Sequence, residues 1–262
     1  MQPLHTTTLK YTGTNPSPVY ILLIHGLFGD GSNLSSLGKQ LSKFARVYLI
    51  DALNHGQSPR VQTMDYHAQA EALLSTMDTL GIDSCYLLGH SMGGKIAMAT
   101  ALLAPKRVAK LIVADIAPVT YSHGHQSEFN GLNSVNLNSI CSRQDANNQL
   151  SQFIANPGVR QFLIKSLKHE NQTWFWQFAI HELQQFYSDI INWPFSEEKY
   201  NGPTLFLKGA LSDYLVEKYQ DTILKQFPHA KVKILMNTGH WLHAEKPQQF
   251  NRLVSQFFAL EN

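Results

Sequence analysis

Short apolar runs rich in branched residues recur along the chain at Val19–Ile24, Val47–Ile50, Tyr86–Leu88, Leu111–Ala114, Thr204–Leu207 and Val232–Leu235. A run apolar at consecutive positions has no polar face, which suits a parallel strand covered by helices on both sides. The segments between these runs carry a different period. From Pro247 onward, Phe250, Leu253, Val254, Phe257 and Phe258 fall at i, i+3, i+4, i+7 and i+8, with Pro placed in a first turn, and predict an amphipathic closing helix. Leu73, Leu74, Met77 and Leu80 form a similar stripe that stops at Gly81, a natural helix terminator. Strand and helix therefore alternate at both ends of the chain, which predicts an α/β fold with a doubly wound, mostly parallel sheet.

Between about Val119 and Tyr200 the alternation fails. No strand-like run of similar quality stands there, and Gln161–Lys168 and Thr173–Gln185 read as helical. The predicted organisation is one core domain made of residues 1–119 and 201–262. A helical cap, residues 120–200, is inserted between the strand ending near Asp115 and the strand near Thr204. That insertion holds 13 of the 28 aromatic residues and 18 of the 35 Asn and Gln within 81 of 262 positions, a composition suited to a lid over a site.

Composition narrows the partners. Only 15% of residues are charged, against roughly 25% in an average soluble protein, and 44% are hydrophobic, so the chain is folded and not disordered. The net charge is +2 and no basic run stands out, which gives a nucleic acid or a membrane surface no electrostatic footing and favours a small-molecule ligand. No apolar run reaches 18 residues, and the N-terminal stretch lacks the basic start and apolar centre of a signal peptide. Two cysteines, Cys85 and Cys141, make no disulfide framework, and the expected location is cytoplasmic.

The candidate chemistry centres on Gly89-His90-Ser91-Met92-Gly93-Gly94. It lies directly after the run Tyr86–Leu88 and directly before Lys95–Leu103, which reads as a helix. This is a G-x-S-x-G nucleophile elbow in its strand-turn-helix context, with Ser91 as the nucleophile. The Met92 amide at the helix start is placed to donate to an oxyanion, and a second donor is expected after the first strand, from Leu27 or Phe28 in His25-Gly26-Leu27-Phe28-Gly29. His25 itself reads as a loop-holding residue. A hydroxyl needs a general base. Of the 12 histidines His240 fits best, following a strand and a turn and preceding the last helix, in the order Ser, acid, His, while His243 reads as structural. The acid has two candidates. Asp213 lies after the strand that follows the insertion, one place beyond the usual position, which is held by Ser212; Asp115 ends the preceding strand. Neither CxxC nor H-E-x-x-H occurs, His123-Gly124-His125 is only a weak metal hint, and no dinucleotide glycine pattern is present, so neither a metal nor a cofactor is expected.

The stretches HGLFG, Asp51-x-x-x-His55-Gly56-x-Ser58, GHSMGG, Ala114–Val119 (ADIAPV) and GHWLHAEKP together resemble α/β-hydrolases of the serine esterase type. They are similar to the bacterial YbfF-type esterases and their mammalian abhydrolase-domain relatives. The resemblance spans the predicted core and is weak across the insertion. It implies the α/β-hydrolase fold, Asp115 as the acid, and Ser212 as an auxiliary hydrogen-bonding partner of the His–Asp pair. His55 and Ser58 read as loop-structuring.

The reaction expected is hydrolysis of a small to medium acyl ester through an acyl-enzyme. An apolar acyl pocket is expected under the insertion, with Phe28 and Met92 as its floor, Trp174, Phe178 and Trp193 as its roof, and Trp241 beside the base. Alternatives sharing the fold are an acyl-CoA thioesterase and a carbon–carbon hydrolase or lyase. From another class, a ligand receptor that retains the triad remains open. Oligomeric state is not encoded in these features.

Overall fold

In the computed structural model, which describes residues 2–16, 18–122 and 124–260, the strands β1 (Thr6–Leu9), β2 (Tyr20–Ile24), β3 (Arg46–Ile50), β4 (Cys85–His90), β5 (Val108–Ala114), β8 (Thr204–Gly209) and β9 (Ala230–Leu235) form one sheet in the order β1-β3-β2-β4-β5-β8-β9. All neighbours are parallel except β1, which runs antiparallel to β3. Consecutive residues of the central strands enter different cores. Leu22, Ile24, Leu87, Leu111 and Val113 face α2 (Tyr66–Thr79) and α3 (Met92–Leu103), whereas Ile21, Leu23, Leu88 and Ile112 face α1 (Ser35–Leu41) and α11 (Pro247–Phe258). Both faces of the sheet are dry, so the sequence reads as unbroken apolar runs. The winding reverses between β2 and β4, and the crevice at the C-terminal ends of these strands is where open α/β sheets place their sites.

The helices begin and end for local reasons. Asp65 caps α2 by accepting from the Ala68 amide at 2.8 Å, and Gly81 with φ +66° closes its C-terminus, where the Ile82 amide reaches back to Met77. After α9 (Gln220–Gln226) and α10 (Leu242–Glu245), Pro247 occupies the first turn of α11, whose stripe Phe250, Val254 and Phe258 is buried on the sheet.

The insertion departs from the expectation of helices alone. It contains α4 (Gln126–Ser134), α5 (Arg143–Leu150), α6 (Pro157–Lys165), α7 (Ile180–Gln185) and α8 (Tyr187–Ile191). Between α6 and α7 it holds a two-stranded antiparallel hairpin, β6 (Leu167–Glu170) with β7 (Thr173–Trp176). The helix expected over Gln161–Lys168 therefore ends at Lys165, and Thr173–Trp176 is a strand. Asn171 and Gln172 both have positive φ, 48° and 63°, the two-residue turn that matches strand twist. Thr-Trp-Phe-Trp is β-prone, which is the signal for it. Strand β1 was also absent from the apolar pattern, because its Thr-rich run is largely exposed.

The insertion is tied to the core around the C-terminal edge of the sheet. The Tyr66 hydroxyl donates to Ile190 O at 2.6 Å, Lys95 Nζ to Ile191 O and Asn192 O at 2.9 and 2.8 Å, Ser166 Oγ to Phe28 O at 2.8 Å, and the Ala179 amide to Asn54 O at 2.9 Å. No helix among the described residues is long and apolar enough to cross a membrane.

The buried stripe of α11 predicts a clear contrast in stability. Phe250→Ala should lower the unfolding free energy by about 3–5 kcal/mol, while Gln248→Ala on the exposed side should change it by less than about 0.5 kcal/mol, as read by urea unfolding.

Candidate active site

Ser91 leaves β4 with φ 53° and ψ −121°, a backbone state that costs of order 1–3 kcal/mol and persists only where its surroundings impose it. They do so by close backbone passage. A Cβ on Gly89 would lie 2.0 Å from the Gly93 carbonyl oxygen, and one on Gly93 would lie 2.4 and 2.5 Å from those of His25 and Ile24. The turn is held on both sides: the Ser91 amide donates to Ala114 O at 2.9 Å, and the Gly94 amide to Ser91 O at 2.8 Å.

His240 arrives from the end of β9. Thr238, fully buried, donates its hydroxyl to Leu235 O at 2.8 Å, and the Gly239 amide donates to Glu245 Oε2 at 2.8 Å, which fixes the loop. The imidazole then lies between two partners. Its Nε2 is 2.9 Å from Ser91 Oγ and its Nδ1 is 2.8 Å from Asp115 Oδ2. The Tyr214 ring stacks on it at 4.2 Å, and His90 Nε2 donates to its main-chain carbonyl at 2.8 Å.

Asp115 is fully buried, has φ 55°, and donates its amide to Leu207 O at 2.8 Å, so it extends the pairing of β5 with β8 by one residue before the chain turns away. Its carboxylate is satisfied on both oxygens. Oδ1 accepts from the Gly209 amide at 2.9 Å, and Oδ2 accepts from the Ser212 hydroxyl as well as from His240. Asp213, the other acid candidate, is exposed and makes no hydrogen bond to His240. The one-residue offset turns its side chain outward while Ser212 points in.

At the end of β2, Phe28 has φ 64° and spends its amide on His55 Nε2 at 3.1 Å, whereas the amides of Leu27 and Met92 have no acceptor among the described residues. His55 Nδ1 donates to Leu53 O at 2.9 Å. His25 Nδ1 donates to Gly26 O at 2.7 Å while its Nε2 accepts from the Ala52 amide at 3.0 Å. Ser58 Oγ donates to Asp51 O at 2.6 Å. These side chains hold the loops around Ser91.

Two cavities meet at Ser91. The wider, about 180 Å³, is walled by Phe28, Val159, Phe162, Leu163, Trp241 and His240. The narrower, about 30 Å³, is walled by Leu27, Met92, Lys95, Tyr66, Tyr121 and Ile191. Phe28 and Trp241 line the wider cavity and Met92 the narrower. Trp174, Phe178 and Trp193 line neither: Trp174 packs on His169, Phe178 is buried between Trp176 and Phe28, and the Trp193 indole donates to Gln226 Oε1 at 2.9 Å. They pack within the insertion and against the core beneath it, and they form no roof. Lys95 and Tyr214 were missed in the sequence. Lys95 had a signal, as a lone cation within an otherwise apolar helix. Tyr214, two residues after Ser212, had none. His123 lies outside the described residues, among which no group of three or more His, Cys, Asp or Glu could hold a metal ion.

Residues 19–186 match the sequence pattern of the family described as alpha/beta hydrolase fold. The chain is 38% identical to Esterase YbfF of Escherichia coli over 93% of both chains. It is 37% identical to the mouse sn-1-specific diacylglycerol lipase ABHD11 over 98% of this chain and 85% of that one. Among solved structures, a marine microorganism esterase superposes with a TM-score of 0.92 at 33% identity, covering 98% of this chain and all of that one.

Burial holds the imidazoles of His25, His55 and His90 below their ordinary value of 6.5 and pushes His243 down to about 4. For His25 and His55 a second cause acts, since each Nε2 accepts a backbone hydrogen bond and loses it on protonation. A histidine whose folded pKa is depressed leaves the unfolded chain to bind protons first, so its stabilising effect is complete above the unfolded value and is lost as the pH falls. The contribution of these histidines to the unfolding free energy should therefore be flat above pH 6.5 and fall between pH 6.5 and about 4, by up to about 1.4 kcal/mol per pH unit for each such group. Denaturant titrations at pH 7.5, 6 and 5 measure this, and equal stability at pH 7.5 and 5 contradicts it.

Proposed function

Because this chain belongs to the α/β-hydrolase family and is a hydrolase of its esterase and lipase group, we propose that it cleaves carboxylic esters through a covalent acyl-enzyme on Ser91. The observation that carries this reading is the unbroken line of hydrogen bonds from Ser91 Oγ to His240 Nε2 and from His240 Nδ1 to Asp115 Oδ2, at 2.9 and 2.8 Å. In that arrangement Asp115 keeps the Nδ1–H tautomer and offsets the charge of the imidazolium, leaving Nε2 free to take the Ser91 proton. Ser212 and Gly209 act one step further out, as the groups that orient the Asp115 carboxylate.

The steps follow from these positions. Ser91 Oγ attacks the ester carbonyl carbon as its proton passes to His240 Nε2. The oxyanion accepts from the unspent amides of Leu27 and Met92, each worth about 3 kcal/mol in reactions of this type. The commitment of the Phe28 amide to His55 supports Leu27 over Phe28 as the donor. Collapse expels the alcohol, which takes the proton from His240, and a water activated by the same nitrogen releases the acid. Residues 120–200 serve as a cap, their role being to wall the wider cavity through Val159, Phe162 and Leu163 and to exclude bulk water. No cofactor takes part. The unpaired thiols of Cys85, buried, and Cys141, exposed, support a reducing compartment such as the cytoplasm.

Three variants test the reading with p-nitrophenyl acetate and a fluorophosphonate probe. Ser91→Ala should lose both turnover and labelling, Asp115→Asn should lose about 10⁴ in kcat, and Asp213→Asn should keep wild-type turnover. A dead Asp213→Asn overturns the acid assignment. Stoichiometric labelling of Ser91 without turnover of any ester or thioester would indicate a receptor and not an enzyme.

A further inference from the structure

The two cavities at Ser91 differ in which catalytic atoms they reach, and that difference sorts the two halves of a substrate. The wider one touches both Ser91 and His240, and a leaving alcohol must lie against His240 to take its proton. The narrower one touches Ser91 and Met92 but not His240, with Leu27 on the border of both, so it is the place for the acyl group. At about 30 Å³ it has room for about two waters, or one small polar group at the end of a short chain.

The wall of this narrower cavity carries an uncompensated cation. Lys95 is 1% exposed, and no acidic side chain pairs with it among the described residues. Its ammonium donates to the carbonyls of Ile191 and Asn192 and lies 5.4 and 4.9 Å from the ring centres of Tyr66 and Tyr121. An ammonium has three N–H donors, and two are spent. The neighbouring hydroxyls are engaged within the protein: Tyr66 donates to Ile190 O, while Tyr121 accepts from the Ala117 amide and donates to Tyr214 O. A buried charge without a counter-charge is costly, and burial alone pulls the Lys95 pKa down to about 7. Lys95 stands four residues beyond Ser91, about 6 Å along the axis, with a side chain that tilts back toward the helix start.

We propose that the narrower cavity is an acyl subsite in which Lys95 receives a carboxylate borne on the acyl chain, making monoesters of short dicarboxylic acids the preferred substrates. The proposal rests on the esterase reading above and specifies its substrate class. A carboxylate, unlike a ketone or hydroxyl, both takes the third donor and neutralises the ammonium. The reaction is then the hydrolysis of a hydrogen succinate or hydrogen glutarate monoester to the free alcohol and the dicarboxylate. The alcohol leaves by the wider cavity, on the His240 side.

The test compares ethyl hydrogen succinate with ethyl pentanoate, matched in chain length, by ethanol release. In the wild type, kcat/KM should favour the succinate by at least about tenfold, the discrimination of one charge-assisted hydrogen bond. In Lys95→Met the ratio of the two should move by at least about tenfold toward the pentanoate. Because the ratio is taken within one protein, a loss of folded fraction cancels. If Lys95 only ties α8 to the core, both esters fall together and the ratio stays fixed, which overturns the proposal. A wild type that favours the pentanoate, or that cleaves other esters but neither of these at a higher rate for the succinate, overturns it without Lys95→Met. Failure of Ser91 to label and of every ester to turn over instead overturns the esterase reading itself.

Discussion

The geometry of the site hangs on the turn at Ser91, where a non-glycine residue is held at positive φ by backbone passing within van der Waals range on both sides. Such a conformation is unfavourable on its own and requires neighbours that leave no alternative. Here they are the central strands themselves. Gly93 sits against the carbonyls at the end of β2, Gly89 against Gly93, and the Ser91 amide is bound to the last residue of β5. Each strand is buried on both faces, so the turn cannot relax without opening the sheet. The strain stays local, and the hydroxyl is presented at the crevice where the winding of the sheet reverses.

The carboxylate of Asp115 performs the corresponding task for segments distant in the chain. One buried group gathers the amide of Gly209, the hydroxyl of Ser212 and the ring of His240, uniting the ends of β5, β8 and β9. A buried carboxylate is tolerated because each oxygen has a donor. The stack of Tyr214 and the grip of His90 on the His240 carbonyl add orientation from two further directions. The resulting site has two exits from Ser91, and their unequal volumes and linings give the site a direction, with His240 on one side only.

What could be read in the sequence follows from how each signal arises. Five of the six predicted strands were visible because burial on both faces leaves predominantly apolar runs, and the elbow because its glycines are demanded by close backbone contact. The edge strand β9 was found although Val232 and Ile234 are largely exposed, since its run is still β-branched. Strand β1 was not, because an exposed edge needs no apolar run. In the insertion, Thr173–Gln185 reads as helical although Thr173–Trp176 is the second strand of a hairpin, and the turn at Asn171 and Gln172 lacks the glycine that usually marks it. The choice between Asp115 and Asp213 turned on one residue of register, which neither composition nor period encodes. Trp174, Phe178 and Trp193 were assigned to a roof because large aromatics suit both a cap core and a pocket; only packing separates the two.

In the proposed chemistry Ser91 carries the acyl group between two half-reactions. Rapid-quench mass spectrometry of the whole protein during turnover of an activated ester, followed by peptide mapping, observes that species directly. With this chemistry a transient mass increase equal to one acyl group per chain is expected, located on Ser91 and absent from Ser91→Ala. Turnover with no acylated protein at any quench time, or an acyl group mapped to a different residue, would contradict it.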